Sequence, residues 1–415
     1  MKQAVYALAG NIVSPLGFTA EENYRAVAEG RSGIARQKGT FGIHEPFAAS
    51  LFDRMAVADR AAAEGITGYN LFETIVILSV KDALQRAGID ATSPRVAFLL
   101  SSIKGNVEEI AEDETQVPVS VAAGRVASFF GFRNAPLVVS NACISGLSAL
   151  IHARRMLLDG AFDHVVVAGA EVQSRFIVSG FQSLKAVSPD PCKPFDAARI
   201  GLNLGEAAAT MVLSRANVCP DGLWELVDGA TRNDANHISG PSRTGEGSYK
   251  CLRYVLEKCD VSKLAFINVH GTSTLYNDEM ESIALHRAGL SELPLNALKG
   301  FFGHTMGAAG ILESLISMQA ADEGLVLGTR GFSQMGVSHP VNVSVRNRTT
   351  DKQSFIKLLS GFGGCNAAML FRKGGARGRF STPSASCPTP SFSTACSCPS
   401  AARARNCSQP FTGST

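Results

Sequence analysis

Cys143, two histidines and a glycine-rich turn are the parts of this chain able to carry nucleophilic chemistry. Cys143 stands in Val138-Val139-Ser140-Asn141-Ala142-Cys143-Ile144-Ser145-Gly146. An apolar stretch runs into small residues, then the cysteine, then a helical pattern. Such an elbow lifts a side chain to the start of a helix. A helix N-terminus favours thiolate, so the Cys143 pKa is expected to fall. A lone cysteine is otherwise most often a small buried hydrophobe.

His270 lies in Asn268-Val269-His270-Gly271-Thr272-Ser273-Thr274, where a strand delivers a histidine into a Gly/Thr-rich loop. His304 lies in Lys299-Gly300-Phe301-Phe302-Gly303-His304-Thr305-Met306-Gly307-Ala308-Ala309-Gly310, whose small residues permit close backbone approach at a helix start. Gly361-Phe362-Gly363-Gly364-Cys365-Asn366 reads as a turn between two strands that could offer a backbone N–H to an oxyanion. Taken singly, each histidine could be structural and the turn an ordinary hairpin.

The elements that must position these groups alternate in type. Strands are expected at Lys2–Gly10, Arg95–Leu100, Leu137–Ser140, His164–Ala170, Ala207–Leu213, Ala265–Val269, Val341–Val345, Phe355–Leu359 and Ala367–Phe371. Helices are expected from the capping box Thr19-Ala20-Glu21-Glu22 to Glu29, and at Leu71–Ala87, Val117–Phe130, Gly146–Leu158, Ser248–Lys258, Glu279–Arg287 and Ile311–Ala321. This rhythm predicts an α/β fold around a largely buried sheet. Gly146–Gly160 and Gly310–Gly324 are helices of equal length with a glycine at each end, which hints at an internal duplication.

Composition narrows the class. The chain has 415 residues, 45% hydrophobic and 18% charged, with a net charge of +3. That is globular, with room for one large domain or two intimate ones. From Gly374 onward there are four arginines and no acid, leaving 35 basic against 36 acidic residues before it. The basicity belongs to the tail, and nucleic-acid binding is not expected. Residues 374–415 are rich in Ser, Pro, Ala, Cys and Arg without periodicity, so they are expected to be disordered. Four of ten cysteines lie there, and the rest form no C-x-x-C pair, which points to a reducing, cytoplasmic setting. The apolar opening Ala4 to Gly10 reads as a first strand, not a leader. No apolar run approaches the roughly 20 residues of a membrane span.

In this order, the motifs resemble the β-ketoacyl-ACP synthases of the thiolase-like superfamily. The resemblance runs from Lys2 to Lys373. It takes in Ser14-Pro15-Leu16-Gly17, Gly30-Arg31-Ser32-Gly33-Ile34, the Asn-Ala-Cys elbow, Lys193-Pro194-Phe195-Asp196 and Leu204-Gly205-Glu206-Ala207-Ala208. It closes with His-Gly-Thr-Ser-Thr, Lys-x-x-x-x-His-x-x-Gly-Ala-Ala-Gly and Gly-Phe-Gly-Gly-x-Asn. It implies a duplicated five-layered αβαβα fold: an N-terminal half at 1–215 with the nucleophile, a C-terminal half at 216–373 with both histidines, and the tail at 374–415.

The resemblance also implies roles. Cys143 would carry the acyl group as a thioester. His270 and His304 would bind the malonyl thioester carbonyl and promote its decarboxylation. The N–H groups of Cys143 and Phe362 would form an oxyanion hole, with Phe362 gating the pocket. Lys299, Asp278, Glu281 and Glu313 would support the site, the acids orienting loops and neutralising Lys299. Neither a cofactor nor a metal is expected. The partners would be acyl- and malonyl-loaded acyl carrier protein (ACP) and a second subunit, identical or related. The loop Ser101-Ser102-Ile103-Lys104-Gly105-Asn106 departs from the glycine-rich loop of chain-elongating members, and its lysine points away from an ordinary long saturated chain, towards pigment-type aryl polyene, flexirubin or polyketide pathways. A non-catalytic chain-length-factor-like subunit is the alternative, but such subunits typically lack the cysteine. A thiolase or chalcone-synthase-like enzyme is the third reading, and the Gly-His-x-x-Gly-Ala-Ala-Gly segment argues against the chalcone type.

Overall fold

A computed structural model describes residues 3–234 and 236–375. The stretch expected to be disordered lies, from residue 376 on, outside the described residues. The Gly374 N–H donates to the Leu223 carbonyl at 2.7 Å, so the folded body passes the boundary expected at 373.

Ten strands form the main sheet: β1 (Ala4–Val13), β2 (Val96–Ser101), β3 (Leu137–Val139), β4 (His164–Glu171), β5 (Ala207–Ala216), β6 (Trp224–Asn233), β7 (Phe266–Asn268), β8 (Leu295–Asn296), β9 (Ser354–Gly361) and β10 (Cys365–Lys373). Their order is β8-β7-β9-β10-β6-β1-β5-β4-β2-β3. Read inward from each edge, the halves are 3-2-4-5-1 and 8-7-9-10-6, so adding five to the first gives the second. Directions repeat as well: β3-β2-β4 and β8-β7-β9 are parallel, and the last two strands of each half are antiparallel to their neighbours. The duplication is therefore one of topology. The halves join where β1 pairs with β6.

Among the described residues ten α-helices accompany them: α1 (Ala20–Ala28), α2 (Arg54–Ala63), α3 (Leu71–Ala87), α4 (Val119–Phe130), α5 (Ser145–Leu158), α6 (Arg175–Ser183), α7 (Glu246–Leu256), α8 (Leu275–Arg287), α9 (Lys299–Phe302) and α10 (Ala309–Asp322). The capping box of α1 forms as expected: Thr19 Oγ1 accepts from Glu22 N–H, and the Glu22 carboxylate accepts from Thr19 N–H. Among the described residues no helix is long and apolar enough to cross a membrane.

Strands with side chains alternating between two cores account for the layers. On β2, Ala97 and Leu99 enter a central core while Val96, Phe98 and Leu100 enter an outer one beneath α3 and α4. On β10, Ala367, Met369 and Phe371 face the central core while Ala368 and Leu370 face α7 and α8. The middle layer is α5 and α10, which pack on each other and on strands of both halves. The result is the expected five-layered αβαβα arrangement.

Several elements differ from expectation. Val341–Val345 is not a strand; only Val343 makes a bridge, to Leu295, so this stretch covers the edge of the sheet. Sequence periodicity missed β6, whose outward residues are half-buried and polar, and also α2 and α6.

The two central helices meet at glycine. A Cβ on Gly310 would lie 2.3 Å from Leu147 N, and one on Gly146 would lie 2.7 Å from Gly307 O. Both obstacles are backbone, so the helices would have to part. Gly310→Ala is expected to lower unfolding free energy by about 1–3 kcal/mol. Gly124→Ala, on α4 with open space around it, is expected to be neutral or to stabilise by up to about 1 kcal/mol. Urea unfolding of the two variants checks the contrast; equal midpoints would exclude the close crossing.

Candidate active site

The elbow after β3 is held by one serine. Ser145 Oγ accepts from Asn141 N–H at 2.8 Å and donates to Ala142 O at 2.6 Å. Between them Ala142 takes a left-handed φ of 43°, a conformation costly for a residue with a Cβ. This turn sets Cys143 just ahead of α5, buried at the bottom of a cavity.

His270 follows β7 by two residues, and α8 fixes its loop. The Glu281 carboxylate accepts from the backbone N–H groups of His270 and Gly271, both at 2.7 Å, and from Asn277 Nδ2 at 2.9 Å. Asp278 accepts from the N–H groups of Phe195 at 2.7 Å and Ser273 at 3.2 Å. Both Phe195 and Ser273 have positive φ, 64° and 66°. The two acids thus hold strained backbone in place. Burial pushes Glu281 up to about 7 and Asp278 up to about 6 against these bonds.

His304 lies between α9 and α10. Its own N–H donates to Asn203 O at 2.7 Å, and its Nδ1 accepts from Met306 N–H at 3.3 Å. An Nδ1 that accepts leaves the proton on Nε2. That Nε2 is buried without a partner among the described residues, as is Nδ1 of His270.

The three groups converge. The Cys143 sulfur and one ring nitrogen from each histidine all lie within 4.8 Å of one another. The imidazoles stand edge to face, with centroids 5.0 Å apart. Burial holds both well below the usual histidine range, and the ammonium groups of Lys299 and Lys357 press the same way. Both are therefore neutral.

The thiol departs from expectation. Burial pushes Cys143 up to about 12 in place of the expected fall. Cys365 and Glu171 act in the same direction, while Lys299 and the Phe362 N–H, directed at the sulfur, oppose them. With neutral histidines as neighbours, Lys299 offsets only part of the loss of solvent, so the resting sulfur keeps its proton.

Lys299 Nζ donates to Glu313 Oε1 at 2.8 Å, which makes Glu313 its ion-pair partner, while Glu281 acts on it without a hydrogen bond. Sequence reasoning missed the third member. Lys357 Nζ donates to Glu313 Oε2 at 2.5 Å, to Val269 O at 3.3 Å and to Leu358 O at 3.2 Å. Its signal was a lysine inside the apolar run Ser354–Ser360. Burial pulls the Glu313 carboxyl upward, but the two ammoniums outweigh it and hold it below its ordinary value.

The cavity above Cys143 measures about 450 Å³. His270 and His304 share its floor, and Phe181, Leu184, Ile200 and Leu202 give it apolar walls. Phe362 closes one side, its ring stacked on Phe181 at 5.6 Å. Thr272 and Thr274 also line it, their hydroxyls 2.9 Å apart. Lys104 does not line this cavity; its ammonium lies 5.5 Å from the centre of the Phe176 ring.

Comparison with known proteins agrees along the whole folded body. Residues 4–218 match the family described as "Beta-ketoacyl synthase, N-terminal domain", and residues 223–333 match "Beta-ketoacyl synthase, C-terminal domain". The 3-oxoacyl-(acyl-carrier-protein) synthase 2 of Vibrio harveyi is 27% identical over 411 residues, covering 90% of this chain and 99% of that protein. A β-ketoacyl synthase from Burkholderia phymatum superposes with a TM-score of 0.80 at 25% identity, over 90% of this chain and 100% of that one. A ketosynthase in complex with its chain length factor from Xenorhabdus doucetiae shares the fold, with a TM-score of 0.79 at 21% identity over 89% of this chain and 98% of that one.

Glu281→Gln keeps one acceptor oxygen where two N–H groups are bound. It is expected to weaken the His270–Gly271 loop by about 1–3 kcal/mol. Amide hydrogen exchange at His270 and Gly271 should speed up selectively, while β2 and β4 stay unchanged. Uniform acceleration across the sheet would mean that Glu281 supports the whole fold instead.

Proposed function

The chain belongs to the β-ketoacyl synthase family, and from that premise we propose that Cys143, His270 and His304 carry out a decarboxylative Claisen condensation of an acyl thioester with malonyl-ACP. The observation that carries the assignment is the convergence of one sulfur and two neutral imidazole nitrogens within 4.8 Å at the floor of one cavity.

The first half-reaction loads the enzyme. The Cys143 sulfur attacks the acyl thioester carbonyl. Because the thiol is protonated at rest, its proton leaves as the bond forms, relayed by an imidazole nitrogen to the departing carrier thiolate. The carbonyl oxygen takes up negative charge between the N–H groups of Cys143 and Phe362. The apolar wall around Phe181, Ile200 and Leu202 suits the acyl chain, and Phe362 stands at its edge as the gate.

Malonyl-ACP then enters past Thr272 and Thr274. Its thioester oxygen accepts hydrogen bonds from the His270 and His304 rings. The carbon–carboxylate bond breaks, CO₂ departs, and the electron pair becomes an enolate held by those donors. The enolate carbon attacks the Cys143 thioester, a carbon–carbon bond forms, and the sulfur leaves as thiolate and takes a proton from solvent. Each well-placed donor to such an oxygen is typically worth about 3–4 kcal/mol in the transition state. Asp278, Glu281, Lys299 and Glu313 position the two histidines and do not touch the substrate.

This chemistry fits synthesis of fatty-acid-like or polyketide chains, including aryl polyene pigments, with acyl- and malonyl-loaded ACP as partners. Strand β3 supports a second subunit. It is an outer strand of the sheet, with Leu137 44% and Val138 38% exposed, and another chain can add to such an edge. The partner is a second ketosynthase-like chain, either a copy of this one or a related one. No observation favours a non-catalytic, chain-length-factor-like role, since the reacting groups are all in place.

Two outcomes are expected. Cys143→Ala should fold normally and gain no acyl mass on incubation with acyl-ACP, read by intact-protein mass; acylation of the variant at another cysteine overturns the assignment. Val138→Asp should weaken subunit association by at least tenfold in sedimentation equilibrium, and an unchanged association constant removes β3 from the interface.

A further inference from the structure

We propose that Lys357, as the second ammonium on Glu313, keeps His270 and His304 uncharged so that they hold the enolate without protonating it, steering it to carbon–carbon bond formation. The inference rests on the condensation proposed above and assigns a positioning role to a residue that this reaction does not itself need.

The charge count carries the argument. Lys299 and Lys357 each donate to one oxygen of the same carboxylate, at 2.8 and 2.5 Å. All three groups are almost wholly buried. One lysine would balance Glu313; two leave an excess positive charge. A buried ion without its own counterion costs several kcal/mol. A methionine at position 357 would fill similar volume without that cost. Lys357 is nevertheless held firmly, its three N–H bonds taken by Glu313, Val269 O and Leu358 O. Val269 directly precedes His270, so the excess charge lies immediately behind the imidazoles.

The surrounding groups cancel it only in part: Glu281 also acts on Lys357, and burial pulls the Lys357 ammonium down to about 8, so its charge is full only below that pH. On α8, Asp278 and Glu281 are already bound to backbone N–H groups, and burial raises both carboxyls. On α9 is Lys299, on α10 Glu313, and at the elbow the protonated Cys143. Beyond it, at the end of β4, Glu171 accepts from Ser102 Oγ and Ile103 N–H, and burial pushes it up to about 7. Lys357 contributes directly to the downward pressure on both histidines.

Neutrality matters because the enolate has two fates. Attack on the Cys143 thioester makes the product. Capture of one proton at carbon gives an acetyl thioester: malonyl thioester plus H⁺ yields acetyl thioester plus CO₂, and no carbon–carbon bond. An imidazolium hydrogen-bonded to the enolate is an acid poised for that capture. A neutral imidazole N–H is a donor far too weak to give up its proton. The positive charge behind the rings thus stabilises the enolate oxygen and removes its nearest proton source together.

The test compares full-length wild type with Lys357→Met, using acyl-ACP and malonyl-ACP between pH 5.5 and 8.5. Acetyl-ACP, condensed product and CO₂ are quantified in the same reactions. Removing a nearby like charge should raise the histidine pKa values. The acetyl-to-condensed ratio should then rise severalfold at the acid end and converge on wild type at the alkaline end. A folded variant with the wild-type ratio at every pH overturns the role of Lys357 alone, whereas a wild type forming neither product overturns the condensing reading itself. Should Lys357→Met not fold, Lys357→Gln replaces it, and NMR titration of the imidazoles supplies a readout free of catalysis. Unchanged histidine titration in that variant also overturns the proposal.

Discussion

The contact between α5 and α10 at Gly146 and Gly310 is the constraint on which the site depends. The backbones touch there with no room for a Cβ on either side. Cys143 stands two residues before α5, and His304 five residues before α10. Helices that cross at their first turns bring whatever precedes them to one point. The duplicated topology explains why: the two halves place equivalent helices in one shared layer, and the chemistry collects where those helices begin. His270 arrives from β7, the counterpart of β2, through a loop that needs its own anchors in Asp278 and Glu281.

Burial then dictates the protonation states. Removing water penalises every charged form, so the thiol stays protonated and the imidazoles neutral. At Cys143 the partial positive charge of the α5 N-terminus works against the loss of solvent. A site built this way holds no reactive anion at rest. In the proposed reaction the sulfur gives up its proton only as it attacks the thioester.

Much of this was legible in the residues. Helix α3 falls on its expected span because its cap and its C-terminal Gly88 bracket an unbroken apolar pattern. The elbow, the two histidine loops and the Gly-Phe-Gly-Gly turn were each visible as a change from periodic to small residues. What escaped were features set by tertiary context. The alternation in Val341–Val345 mimics a strand, yet that segment only caps an edge. Strand β6 hides because polar residues sit on half-covered positions between the two halves. The direction of the Cys143 pKa depends on the amount of solvent excluded, which no local pattern encodes. Nor does the loop around Lys104 disclose that its ammonium lies over the Phe176 ring. Lys357 was readable as an anomaly in an apolar strand, but its partner, 44 residues away in sequence, was not.

The proposed reaction asks for two oxygen-binding places, and the fold supplies them in different materials. The acyl oxygen belongs to a group covalently fixed to Cys143, so its position is set by the enzyme's own backbone. Donors from that same backbone, at Cys143 and Phe362, keep step with it and lose no side-chain freedom. The malonyl oxygen arrives on a separate carrier and must later leave as part of the product. Side-chain donors suit it, because imidazole rings adjust slightly while their loops stay anchored by Glu281 and the Asn203 carbonyl. The covalent partner is thus met by a rigid hole and the mobile partner by adjustable rings. Interchanging the two would tie the flexible donors to the fixed ester and leave the incoming thioester to find a hole that cannot yield.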